Sequence, residues 1–186
     1  GSFMAPLYTA KYGSTIKALL LSGTARGGMR VSLGVQAAEL SARTHGAYYV
    51  DKRLQQMALG AANDRFKPLA TPYDWLTRDV ELAKRFQEDP LCGFVFTASA
   101  YRDLFTLLEK ANGKACFQAT PSQLPILIFS GSMDPVGEFG KGPEQVYQRY
   151  VKAGVRNVQL TLYEGARHET LNEVKRSQGY EMVVRW

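Results

Sequence analysis

Three short apolar runs, each closed by a glycine, constrain this chain more than anything else in it. They are Ala18-Leu19-Leu20-Leu21 before Ser22-Gly23, Ile126-Leu127-Ile128-Phe129 before Ser130-Gly131, and Val158-Gln159-Leu160-Thr161-Leu162-Tyr163 before Glu164-Gly165. Runs this short have the length of strands. Continuous apolarity in the first two reads as strands buried on both faces, the mark of a parallel sheet. Between the second and third runs, Val146, Tyr147, Tyr150 and Val151 recur at helical spacing, and Gly154 closes the helix. A strand–helix–strand unit of that length requires parallel strands with a right-handed crossover. The fold class is therefore α/β.

The first two strands are far apart in the chain. From Val31 to Gly113 the pattern shows only helices and irregular connections. Tyr49, Val50, Leu54, Met57 and Ala58 form one apolar stripe, and Val80, Ala83 and Phe86 a second, ended by Pro90. Tyr101, Leu104, Phe105 and Leu108 form the clearest, with Thr97 placed as its cap. Phe66 to Trp75 reads as an ordered loop. A helix over about Phe3–Tyr12, stopped by Gly13, precedes the first strand, and Leu171–Trp186 is mostly helical. The domain reading is a core of residues 1–30 and 114–186 with a helical insertion, 31–113, after the first strand.

Composition bounds the function. A chain of 186 residues can bury one full core, and 45% hydrophobic with 22% charged residues argues against disorder. The net charge of +6 comes from scattered basic residues beside acids, as in Asp79-Val80-Glu81-Leu82-Ala83-Lys84-Arg85. That is a solvated surface rather than a nucleic-acid footprint, although attraction to an anionic lipid surface stays open. No apolar run reaches the length of a membrane span. Cys92 and Cys116 stand alone, so a zinc site or disulfide framework is not expected; they read as free thiols of a cytoplasmic protein, Cys92 as a small buried side chain. Thr24-Ala25-Arg26-Gly27-Gly28 lacks phosphate-loop spacing. No metal or cofactor is expected.

Ligands and catalytic groups gather at the carboxyl ends of parallel strands. Two such ends carry ionisable residues: Gly131-Ser132-Met133-Asp134-Pro135-Val136-Gly137 and Glu164-Gly165-Ala166-Arg167-His168-Glu169. A carboxylate bonded to one ring nitrogen of an imidazole holds its tautomer, so that the other nitrogen can take a proton from a nucleophile. Asp134 and His168, on neighbouring strand ends, have the topology for that pair. A helix-capping Asp and a surface histidine remain the alternatives at this point. His45, beside Gly46 between two helices, reads as a surface or helix-end residue.

The residues Ser130-Gly131-Ser132-Met133-Asp134-Pro135-Val136-Gly137 and Gly165-Ala166-Arg167-His168-Glu169-Thr170-Leu171-Asn172-Glu173 resemble the C-terminal part of an α/β-hydrolase. The type is that of monoacylglycerol lipases and lysophospholipases, grouped with the S33 serine aminopeptidases. Asp74-Trp75-Leu76-Thr77-Arg78-Asp79 and Asp89-Pro90-Leu91-Cys92-Gly93-Phe94 extend the likeness over nearly the whole chain. It implies three parallel strands with flanking helices and a helical cap inserted after the first. It also implies Asp134 and His168 as the acid and base of a Ser-His-Asp triad. Arg167 and Glu169 would hold the base from either side.

The family's serine sits in a G-x-S-x-G turn between a strand and a helix. Ser22-Gly23, Gly131-Ser132 and Ser177-Gln178-Gly179 all lack the flanking pattern. Gly1-Ser2-Phe3-Met4-Ala5 resembles the end of that turn and the start of its helix, which would put the serine two positions before residue 1; a tag scar is the competing reading of Gly1-Ser2. On either reading the resemblance places the nucleophile, the oxyanion-hole amides and the preceding strands upstream. The first strand would present an unpaired edge, to be covered by that missing half, a domain swap or a homodimer contact. The expected substrate is a small-molecule ester or lipid, admitted beneath a cap whose Tyr48, Tyr49, Phe66, Tyr73, Trp75, Phe94 and Phe96 read either as the cap's own core or as walls for an acyl chain. An aminopeptidase or amidase on the same triad, and a non-catalytic binding fragment, are the alternatives.

Overall fold

Ile126–Phe129 offers no polar side chain to either face, so it needs cover on both. The chain, described over residues 1–186 by a computed structural model, places it at the centre of a three-stranded parallel sheet. The strands are β1 (Leu19–Ser22), β2 (Ile126–Gly131) and β3 (Val158–Tyr163), in spatial order β1-β2-β3. Leu19 stands opposite Ile126, and Ile126 opposite Val158, so all three carboxyl ends lie at one edge. Every residue of β2 is buried.

β1 departs from expectation. Leu19 and Leu21 are buried, whereas Leu20 is 40% exposed and Ser22 lies open. A short apolar run reads alike whether one face or both are covered; β1 pairs only with β2, and its outer edge and one face are free. Cys92 is likewise only half-buried, while Cys116 is buried; both are free thiols.

Helix α1 (Met4–Tyr12) ends in one 3-10 turn, Gly13–Thr15, before β1. Four helices follow: α2 (Met29–His45), α3 (Lys52–Leu59), α4 (Val80–Glu88) and α5 (Ala98–Ala111). They precede α6 (Lys114–Ala119) and β2, with α7 (Lys141–Lys152) between β2 and β3 and α8 (Arg176–Arg185) at the end. α7 turns Val146 and Tyr150 onto the sheet, where the Tyr150 ring meets Phe117 edge-on at 4.8 Å. The helices between β1 and β2 have their own core of Ala38, Leu54, Ala98, Tyr101 and Phe105. Thr97 caps α5 as expected, accepting from the Ala100 amide at 3.3 Å. None of these helices is long and apolar enough to cross a membrane.

α3 starts later than its sequence stripe because Asp51 caps it, accepting from Arg53 N at 2.9 Å, which leaves Tyr49 and Val50 outside and exposed. Ser41 on α2 donates to the other Asp51 oxygen at 2.5 Å. That hydroxyl bond, with the two cap amides, outweighs burial and holds the Asp51 carboxyl below its usual pKa. A carboxylate depressed on folding stabilises above its unfolded pKa, near 3.9, and loses that contribution as pH falls through the folded value. Ser41→Ala is therefore expected to remove about 1–2 kcal/mol at neutral pH, with the gap to wild type closing below about pH 4. Urea unfolding of both proteins across pH 3–8 measures it; a pH-independent gap would contradict the assignment.

Candidate active site

Both ionisable strand-end residues sit on turns that begin by leaving the sheet sharply. After β2 the Asp134 amide donates back to Gly131 O at 3.2 Å, and after β3 the Ala166 amide donates to Tyr163 O at 3.2 Å with Gly165 at φ 69°. The two turns are stitched to each other. Ser132 N donates to Tyr163 O at 2.8 Å, Met133 N to Ala166 O at 2.9 Å, and Gly165 N to Ser132 Oγ at 2.8 Å. They pack so closely that Gly131 lies directly against the Ala166 and Arg167 backbone.

This brings His168 Nδ1 to 3.0 Å from Asp134 Oδ2 and 3.1 Å from Oδ1. Asp134 is fully buried, and every other contact it makes is also with a donor: Val136 N reaches Oδ1 at 2.9 Å, and Ser130 Oγ reaches Oδ2 at 3.1 Å. An ionised carboxylate only accepts, so a bond to it calls for the imidazole proton on Nδ1. The ring remains partly exposed and borders a cleft of about 230 Å³ lined by Ser22, Glu169, Thr170, Leu171 and Asn172. Gly23, at φ 57° just past β1, closes the other side; a Cβ there would stand 2.9 Å from His168 Cε1. With the imidazole proton on Nδ1, Nε2 is the unprotonated ring nitrogen.

A segment from between α3 and α4 runs alongside the His168 turn. His168 N donates to Trp75 O at 3.3 Å and Glu169 N to Leu76 O at 2.7 Å. The Trp75 ring lies 5.4 Å from the imidazole, tilted by 40°. The Arg167 guanidinium turns away from the Asp134–His168 pair, donates to the carbonyls of Asp74 and Thr77, and lies 4.2 Å over the Phe66 ring. Burial pulls the Asp74 carboxyl upward, but bonds from the Thr71 hydroxyl and the Ala70 and Thr71 amides prevail and hold it below its usual pKa. Glu169 accepts from Asn172 Nδ2 at 2.8 Å. Of the aromatic residues singled out in the sequence, Trp75 packs on the pair, whereas Tyr48 and Phe94 are largely exposed. His45 ends α2, exposed, with its ring on Tyr49 at 4.6 Å.

Sequence reasoning missed Ser130 as a partner of Asp134, and Arg78 and Glu173 as ties between the two segments. No local pattern marks a carboxylate whose partner stands 95 residues away. No three His, Cys, Asp or Glu side chains converge as a metal would require.

Comparison with known proteins gives these contacts a setting. The sequence profile described as "Serine aminopeptidase, S33" matches residues 1–175. No curated protein matches the chain. Among solved structures, a thermostable carboxyl esterase from Bacillus coagulans, in complex with glycerol, superposes with a TM-score of 0.89 at 24% identity, over 99% of this chain and 60% of the esterase. A lipase in its open form superposes at 0.86 with 26% identity, over 99% of this chain and 60% of the lipase. The monoacylglycerol lipase of Paleococcus ferrophilus superposes at 0.68 with 18% identity, over 100% of this chain and 64% of the lipase. The chain thus spans about three-fifths of the length of these structures. With the profile matched over nearly its whole length, the chain belongs to the S33 serine aminopeptidase family of the α/β-hydrolases.

Proposed function

We propose that the protein carrying this chain hydrolyses carboxylic esters of small lipids or glycerol-like alcohols, with Asp134 and His168 as two members of a Ser-His-Asp triad. The observation that carries the reading is His168 Nδ1 at 3.0 Å from a fully buried carboxylate at the sheet's carboxyl edge. The serine comes from outside these 186 residues, in keeping with the larger size of the matched esterase and lipases. Residues 1–30 and 114–186 belong to the hydrolase core, and 31–113 form its cap. The free edge of β1 receives the strand that leads to the serine.

The chemistry comes from the pair. His168 Nε2 takes the serine proton as its oxygen bonds to the ester carbonyl carbon, and Asp134 stabilises the imidazolium. The imidazolium then protonates the departing alcohol as the C–O bond breaks. Water, deprotonated by the same nitrogen, attacks the acyl carbon; the bond to the serine oxygen breaks, that oxygen takes the proton back from the imidazolium, and the acid is released. The cap's apolar walls hold the acyl chain, at roughly 25 cal/mol per Å² of apolar surface buried.

The test uses full-length protein with p-nitrophenyl butyrate, a monoacylglycerol and an aminoacyl p-nitroanilide. A fluorophosphonate is expected to label one serine and abolish ester hydrolysis in step. Ester turnover that survives complete labelling, or cleavage of the anilide alone, would overturn the reading.

A further inference from the structure

The Glu173 carboxylate is 2% exposed, and four N–H groups converge on it. Arg167 N donates to Oε1 at 2.8 Å and Arg78 N to the same oxygen at 3.2 Å. Arg78 Nε donates to Oε2 at 2.8 Å and Val174 N at 3.2 Å. One side chain thus holds the amide preceding His168 and, at once, residue 78 of the segment that carries Trp75. Around it the two segments run together: Trp75 O and Leu76 O accept from the amides of His168 and Glu169, and Thr77 Oγ1 donates to Asn172 O at 2.9 Å. Arg176 reaches Asp79 at 3.3 Å at the far end.

We propose that Glu173 is a positioning residue, a clamp that makes the His168 turn and the segment Asp74–Asp79 one rigid body, so that the base and the indole against it keep a fixed geometry. The clamp rests on the reading of His168 as the base. It has a chemical requirement that can be tested. All four partners are donors, so only a side chain that accepts at both ends can occupy the site. Glutamine has nearly the same shape but carries an NH2, which would face either the amides of Arg167 and Arg78 or the Arg78 guanidinium and the Val174 amide. Either orientation sets donor against donor and leaves a buried group unpaired. Aspartate keeps the charge but lacks the reach.

The indole offers a readout that does not depend on catalysis. An imidazolium in contact with indole quenches its emission, so Trp75 fluorescence reports protonation of His168 while the two rings touch. These 186 residues hold two tryptophans, so in the full-length protein the Trp75 signal is taken in a Trp186→Phe background as the difference between proteins with and without Trp75→Phe. Asp134 is the acid that the ring touches; Arg167 and Glu169 flank it on its own turn. In the Trp186→Phe background a pH titration is expected to show a quenching step that His168→Ala removes. Glu173→Gln is expected to reduce that step by at least about half, and in the full-length enzyme to lower kcat on the order of 10- to 100-fold with a smaller change in KM. Arg78→Ala, at a partly exposed position, should move both readouts in the same direction by less.

The outcomes separate the clamp from the reading beneath it. If Glu173→Gln and Arg78→Ala keep the full quenching step and wild-type kcat, there is no clamp, whatever His168 does. If both lose the step but turnover survives them and His168→Ala alike, the clamp stands and His168 is not the base. Should Glu173→Gln fail to fold, Arg78→Ala decides the matter by the same readouts.

Discussion

Asparagine in place of Asp134 is expected to lower kcat by about 10⁴-fold in the nucleophile-bearing protein while leaving the fold intact. The reason lies in which oxygen is replaced. Val136 N donates to Oδ1, so the amide oxygen of asparagine belongs there. The NH2 then occupies the Oδ2 position, 3.0 Å from His168 Nδ1 and 3.1 Å from Ser130 Oγ. The serine hydroxyl can rotate to accept. The imidazole, 3.0 Å from that NH2 and 3.1 Å from the amide oxygen already shared with Val136 N, meets a donor where it had an acceptor; accepting from it gives up the Nδ1 proton, which moves to Nε2, the nitrogen that must be bare to deprotonate a nucleophile. His168→Ala removes the base outright and should cost at least as much. Steady-state hydrolysis gives the rates, and ¹⁵N shifts of the His168 ring give the tautomer. An Asp134→Asn variant with unchanged turnover, or with the proton still on Nδ1, would contradict this account.

Gly131→Ala is expected to destabilise the protein by about 2–3 kcal/mol and to lower kcat on the order of 100-fold. Its φ is not in the left-handed region, so backbone freedom is not the issue. A Cβ at this position would overlap the carbonyl groups of Ala166 and Arg167, which are main-chain atoms with no rotamer to change. The His168 turn must move away, and the bonds from Met133 N to Ala166 O and from Gly165 N to Ser132 Oγ stretch with it. The imidazole then leaves a carboxylate that cannot follow, because Asp134 is fixed by Val136 and Ser130. Urea denaturation measures the first effect and ester hydrolysis the second. A kinetic loss with wild-type stability would mean that the turn yields without strain.

The contact was legible in the sequence because each member lies a few residues beyond an apolar run, three positions past a glycine, where a parallel sheet exposes chemistry. Strand order brought Asp134 and His168 forward as a candidate pair, with a capping Asp and a surface histidine still open, and the resemblance of their flanking residues to an α/β-hydrolase singled them out. β2 was legible for the same reason, since a run with no polar residue must be covered on both faces. β1 was not, because Leu20 looks identical to Leu21 until the element that would cover its face is present or lacking. The roles of Trp75, Arg78 and Glu173 were hidden more deeply. Their contacts join segments more than ninety residues apart, and local patterning carries no information about such pairs. Arg167 is adjacent to His168 in the chain, yet its guanidinium serves Asp74 and Thr77, a choice that adjacency cannot reveal.

Those long-range ties bear on the order in which the molecule matures. Closing a loop of 95 residues between Arg78 and Glu173 carries an entropic penalty that only contacts formed at the end can offset. β2, α7 and β3 lie close in sequence and can assemble early, with Asp134 already seated. His168 acquires its backbone partners only when the segment around Trp75 arrives from the far side of the insertion. The geometry of the His168 turn is thus the last to be set. Amides of the His168 turn should be among the first to exchange with solvent, well before those of β2. A nascent chain halted on the ribosome short of Glu173 would hold Asp134 and His168 without the carboxylate that ties the His168 turn to residue 78.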